Sequence, residues 1–115
     1  MSKQKVIFDT DAGVDDCWAL ITLLKCEEKR NLDVRAITVL TGNTPLHHGC
    51  QNILLILKTL NRLDIKVYAE SENSIISKPV YESPHHGIDG LKEVIPYHEK
   101  PSLDLIEKNF LTVIF

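Results

Sequence analysis

Apolar positions along this chain alternate between short continuous runs and helical spacing. Lys5 to Phe8, apolar from Val6 onward, reads as a short buried strand. From Val14 to about Glu28 the spacing turns helical, with Cys17, Leu20 and Leu24 on one stripe. The polar stretch "EEKRN" ends that helix at Asn31, and "CEEKR" is expected to be its solvated end. "DVRAITVL" predicts a second strand, rich in β-branched residues. Thr44 and Pro45 mark the next helix start, Thr as N-cap and Pro at the first helical position. That helix carries Cys50, Ile53, Leu54, Leu57 and Leu60 at spacings of three and four. "DIKVYAE" predicts a third strand. Residues 70–100 hold Ser, Asn, Gly and most of the prolines, which predicts a long loop. "SLDLIEKN" predicts a short helix and "FLTVIF" a buried strand after it.

The order β-α-β-α-β-loop-α-β predicts right-handed crossovers and a parallel sheet with flanking helices. There is no internal repeat, and residues 1–115 are expected to form one domain or the first part of one. The chain is 43% hydrophobic and 25% charged, ordinary values for a globular protein. Its formal charge of -3 disfavours a nucleic-acid partner, because phosphate binding needs clustered Lys and Arg. No apolar run is long enough to span a bilayer. No signal peptide is evident, so a cytoplasmic location is expected. Cys17, Cys26 and Cys50 show no CxxC spacing and are expected to be reduced, partly buried thiols.

In open α/β sheets, ligands bind beyond the carboxyl ends of the strands. Here that edge holds "DTDAGVDD", with Asp9, Asp11, Asp15 and Asp16 within eight positions. Asp9 and Asp11 are two apart and point the same way in an extended chain. Gly13 is expected to let the backbone turn sharply. Asp15 and Asp16 open the helix, where the macrodipole favours negative charge by only about 0.3–1 kcal/mol per group. Each like-charged pair at roughly 4 Å costs about 4 kcal/mol at an effective dielectric of 20. The carboxylates therefore share protons, turn to water, or surround a cation. Oxygen-only ligands select a hard ion, Ca²⁺ or Mg²⁺. An EF-hand does not fit, since neither Asp9 nor Asp11 starts a loop with glycine at position six and glutamate at twelve.

"DTDAGVDDCWAL" resembles the N-terminal signature of the inosine-uridine-preferring nucleoside hydrolases, D-x-D-x-G-x-D-D followed by a short apolar helix. "ITVLTGNT" resembles that family's second strand with its Gly-Asn pair, and "HHGIDGL" its H-G-x-D-G-L loop. The resemblance implies a nucleoside hydrolase-like fold, an open and mostly parallel α/β sheet, of which this is the N-terminal portion. It also implies Ca²⁺-dependent hydrolysis of the N-glycosidic bond of a ribonucleoside and a homo-oligomeric full-length form. By the same resemblance, Asp11 binds Ca²⁺ and takes a proton from the attacking water, and Asp16 is a second Ca²⁺ ligand. Asp15 and Asn43 contact the ribose, His86 flanks the base, and Asp9 supports the site without touching the ion. Further site residues are expected beyond Phe115, among them a later His-Asp pair whose Asp is a third carboxylate ligand and whose His helps the leaving base. "GLKEV" departs from the family's Gly-Leu-Gly-Asp.

Two other functions are compatible with the residues. A haloacid-dehalogenase-type Mg²⁺ phosphatase also has an apolar strand ending in D-x-D. That motif wants Thr or Val where Gly13 stands, and it gives no reason for Asp15 and Asp16. A shortened, non-catalytic homologue that binds metal or a partner is the other. Of the remaining residues, His47 and His48 are expected at the surface or as caps, His85 or His86 near the substrate, and Trp18 in the core.

Overall fold

The computed structural model describes residues 2–42, 44–70, 87–94 and 99–107. Strand β1 (Gln4–Thr10) leads through a three-residue turn to helix α1 (Val14–Cys26). Strand β2 (Leu32–Val39), helix α2 (Leu46–Thr59) and strand β3 (Lys66–Ala69) follow. A 3-10 turn (Leu103–Leu105) runs straight into strand β4 (Ile106–Glu107). The strands lie in the order β1-β2-β3-β4 and every pairing is parallel. Adjacent parallel strands joined by right-handed crossovers in one direction place both helices on the same face.

That face carries the core. Cys17, Leu20 and Leu24 of α1 meet Cys50, Ile53, Leu54 and Leu57 of α2 over Val34, Ile37, Val39 and Val67. The stripes read from spacing are thus the buried ones. The register pairs Val6 with Val34, Phe8 with Ile37 and Thr10 with Val39, with a shift between Val6 and Ile7 that passes over Arg35. The alternate positions, Ala36, Thr38 and Tyr68, are buried on the opposite face.

Several expectations need correction. β1 is not fully buried: Lys5, Ile7 and Asp9 are exposed, with Ile7 at 43%. Among the described residues it is the edge strand, and its Val6–Phe8–Thr10 face is the one that meets the helices. Trp18 is 67% exposed, because it points away from the Cys17–Leu20–Leu24 stripe. Thr44 does not cap α2. The N-cap is Pro45, which has no hydroxyl to give, while the Thr44 hydroxyl donates to the Ile88 carbonyl at 2.7 Å. "SLDLIEKN" does not form a helix in its described part, for the chain makes one 3-10 turn capped by Ser102 and then pairs with β3. "FLTVIF" lies outside the described residues.

Glu27 also departs from the solvated helix end that was expected. Its carboxylate accepts from the Val34 amide at 2.7 Å and from Arg62 at 2.5 Å, tying the end of α1 to β2 and to the chain beyond α2. Its side chain is only 12% exposed. Burial pushes its pKa up, but the bonds from Arg62 and Val34 outweigh this and hold it below the ordinary value. Removing a partner from buried donors costs about 1–3 kcal/mol. Glu27→Gln is therefore expected to lower the urea midpoint, measured by circular dichroism at neutral pH. A depressed folded pKa contributes stability above the unfolded value, about 4.3, and loses it as pH falls through the folded value. The gap between wild type and Glu27→Gln should accordingly narrow in acid.

Candidate functional site

The site is built where β1 and β2 end side by side. β1 stops at Thr10 because the next residues cannot continue the ladder. Ala12 takes a left-handed backbone at φ 57°, an uncommon choice for a residue with a Cβ. Gly13, at φ -72°, is extended and caps α1 without a side chain. The sharp turn is therefore made at Ala12, not at Gly13. Such a conformation costs of order 1–3 kcal/mol and persists only when its surroundings hold it. Here the Ala12 amide donates to the Thr10 hydroxyl at 2.9 Å, and Ala12 is completely buried.

Asp16 closes the turn. From the first turn of α1 its carboxylate accepts from the Thr10 hydroxyl at 2.6 Å and from the Asp11 amide at 3.2 Å. The Asp11 carboxyl also lies within hydrogen-bonding reach of Asp16. Burial raises the Asp16 pKa, but the bonds from Thr10, Asp11 and Ala12 outweigh it and hold this carboxyl below its ordinary value. Gly42, just past β2, makes room for Asp11. A Cβ at Gly42 would stand 2.7 Å from the Asp11 Cβ and 2.9 Å from its Cγ, so any side chain there would displace the carboxylate.

The four aspartates therefore do not form one cluster. Asp11 and Asp16 meet. Asp9 lies on the sheet face away from the helices and accepts from the Thr38 hydroxyl at 2.6 Å, across the register pair Asp9–Thr38. Asp15 is exposed in the first turn of α1. Among the described residues, no group of three or more His, Cys, Asp or Glu side chains comes together. Asn43 and His86 lie outside the described residues. His47 is exposed and its ring stacks 4.1 Å from that of half-buried His48. Burial, with His47 and Lys100 nearby, holds the His48 pKa below its ordinary value, which keeps it neutral at pH 7. Burial, with the Asp16 charge beside it, pushes the Cys17 thiol up to about 12. Cys17, Cys26 and Cys50 are all free thiols, and Cys17 is no nucleophile at neutral pH.

A second segment packs onto this turn. Gly90, at φ 85°, brings its backbone so close that a Cβ would stand 3.0 Å from the Ala12 carbonyl oxygen and 2.8 Å from Asn52 Nδ2. Sequence reasoning singled out Asp9, Asp11, Asp15 and Asp16 but missed Thr10, Ala12, Gly42 and Gly90, which fix the turn. The only signal for them was their place beside the aspartates, the Gly-Asn pair and the H-G-x-D-G-L loop.

The carboxylate pair fits a cation by its donor set. Oxygen donors suit Ca²⁺, which takes 6–8 of them. Asp11 and Asp16 would supply part of that shell.

Comparisons with known proteins agree with the motif. The family described as inosine-uridine preferring nucleoside hydrolase matches residues 6–113. The pyrimidine-specific ribonucleoside hydrolase RihA of Salmonella newport is 35% identical over 86 residues, covering 75% of this chain and 27% of that protein. The structure of the plant nucleoside hydrolase PpNRh1 superposes with a TM-score of 0.78 at 33% identity, covering 91% of this chain and 32% of the plant enzyme. The purine-preferring ribonucleoside hydrolase from Gardnerella vaginalis gives a TM-score of 0.77 at 27% identity, covering 92% and 33%. The chain thus spans about a quarter to a third of the length of these relatives. No helix among the described residues is long and apolar enough to cross a membrane. With its aspartate turn, its parallel sheet and a family match over residues 6–113, this chain belongs to the inosine-uridine preferring nucleoside hydrolases.

Proposed function

We propose that this chain carries the cation-binding and water-activating part of a Ca²⁺-dependent nucleoside N-ribohydrolase. The observation that carries the reading is the Asp11–Asp16 pair, held at the carboxyl edge by the Thr10–Gly13 turn. Glycosidic bonds break through an oxocarbenium-like transition state. Carboxylates fixed beside the sugar stabilise that positive charge without reorganising. Asp11 and Asp16 would hold the Ca²⁺ ion, which would supply Lewis acidity toward the ribose hydroxyls. Asp11 takes the proton from the attacking water. Asp16 holds its orientation through Thr10 and the Asp11 amide, and Asp15 donates no constraint to the pair but stands ready for a ribose hydroxyl. Asn43 and His86 keep the ribose and base contacts that the family resemblance implies. The substrate class is the ribonucleoside, since relatives named for pyrimidines and for purines both match.

Ribose release from inosine and uridine, followed by a reducing-sugar assay, tests the reading. It is run on the chain and on a chimaera in which the chain replaces the equivalent third of the plant enzyme. Release that is lost on chelation and restored by Ca²⁺ supports the proposal. A chimaera that folds, binds nucleoside and releases ribose at an undiminished rate in chelator sinks the Ca²⁺ dependence.

A further inference from the structure

The most completely buried cation among the described ion pairs lies outside the aspartate turn. The Lys100 side chain is 2% exposed, and its Nζ donates to Asp89 Oδ2 at 2.9 Å and to Asn52 Oδ1 at 3.4 Å. Burying an ammonium is unfavourable unless it is paired and hydrogen-bonded. Here each partner is itself committed. Asp89 Oδ1 accepts from the Leu91 amide at 2.9 Å and the Glu93 amide at 3.0 Å. Asn52, completely buried on α2, donates from Nδ2 to the Asp89 carbonyl at 2.6 Å.

The network sits under a short segment that needs holding. Within residues 87–94, Gly87, Gly90, Lys92 and Glu93 all have positive φ, and the last two carry side chains. The segment contacts the aspartate turn at Gly90, against the Ala12 carbonyl, and it is tied to the chain before α2 by Thr44 and the Ile88 carbonyl. Ala12 in turn lies between Asp11 and Gly13, in the left-handed conformation that sets where Asp11 points.

We propose that Lys100, through Asp89 and Asn52, is a positioning residue that locks the Gly87–Val94 segment onto Ala12 and so fixes the Asp11–Asp16 pair. The inference rests on the proposed cation role of that pair for its functional consequence, though not for its geometry. Without the ammonium, Asp89 becomes a buried carboxylate lacking its counter-charge, and the segment's seat on Ala12 loosens. Asp11 and Asp16 then keep their chemistry but lose their spacing. Residues that orient metal ligands from behind typically govern affinity by about 10–100-fold.

The test uses the 115-residue chain, with nuclear magnetic resonance and Tb³⁺ luminescence as a probe for Ca²⁺ sites. In Lys100→Met, the Leu91 and Glu93 amides are expected to exchange faster with solvent. The backbone amide shifts of Asp11, Ala12 and Asp16 should move, while amides in β2 stay protected. Tb³⁺ affinity should fall by about 10–100-fold. The double variant Lys100→Met/Asp89→Asn leaves no unpaired buried charge and serves if the single variant does not fold. The same three shifts are expected to move in it. Unmoved Asp11, Ala12 and Asp16 shifts in the folded variant overturn the proposal, as does undiminished Tb³⁺ affinity. If the wild-type chain binds no Tb³⁺, the cation reading of the pair fails by itself, and the shifts still decide whether the lock exists.

Discussion

Asp11→Asn is expected to lower ribose release from inosine or uridine in the chimaera by about 10²–10⁴-fold, the usual contribution of a positioned general base. The substitution is nearly isosteric, so it respects the tight space that Gly42 leaves beside Asp11. It removes only the negative charge and the capacity to accept a proton. Two losses are then superimposed, a weaker cation site and a missing base, and they separate by titration. Raising Ca²⁺ refills a weakened site but cannot supply a base. The expected result is a kcat that stays low at saturating Ca²⁺, with the KM for nucleoside little changed. Recovery of kcat at high Ca²⁺ would leave Asp11 as a ligand alone, and full turnover at all Ca²⁺ levels would remove it from the site.

Asp16→Ala should abolish Ca²⁺ binding measured by calorimetry on the 115-residue chain, whereas Asp15→Ala should leave it largely intact. Both residues are acidic and adjacent, in the first turn of α1. The structure separates them, since Asp15 is exposed and Asp16 turns back toward Thr10 and Asp11. Wild-type affinity is expected to be weak, because the pair provides few of the 6–8 oxygens Ca²⁺ prefers. Asp16→Ala has a second expected effect. It leaves the Thr10 hydroxyl and the Asp11 amide without their acceptor, at about 1–3 kcal/mol. A lower melting midpoint should therefore accompany the lost binding even when no Ca²⁺ is present. Unchanged Ca²⁺ affinity in Asp16→Ala would sink the ligand assignment.

The contrast between Asp15 and Asp16 shows why part of this site is legible in the chain and part is not. Periodicity reports which face of an element is apolar, and it located the Cys17–Leu20–Leu24 and Ile53–Leu54–Leu57 stripes, the three principal strands and their parallel order. The density of aspartates after a strand reported that charge is concentrated at the carboxyl edge. Both signals are local, because they depend on spacing within one element.

What spacing does not carry is which groups from distant elements meet. Glu27 looked like any glutamate in a polar run, and only the arrival of Val34 and Arg62 made it a buried link. Trp18 looked like core, but one step of about 100° around the helix from Cys17 put it in solvent. Lys100 lay in a stretch without periodicity, yet the packing of that stretch on α2 buried its ammonium against Asp89 and Asn52. Local pattern was enough for the α/β order, the helix faces and the place of the acidic turn, since backbone period and burial act residue by residue. Only the tertiary structure brings the contacts by which Asp11 and Asp16 meet while Asp9 and Asp15 stay apart, a division that the motif's resemblance implied without a physical reason. The left-handed Ala12 that parts them is held by Thr10 and by a close contact with Gly90, which is 78 positions further along the chain.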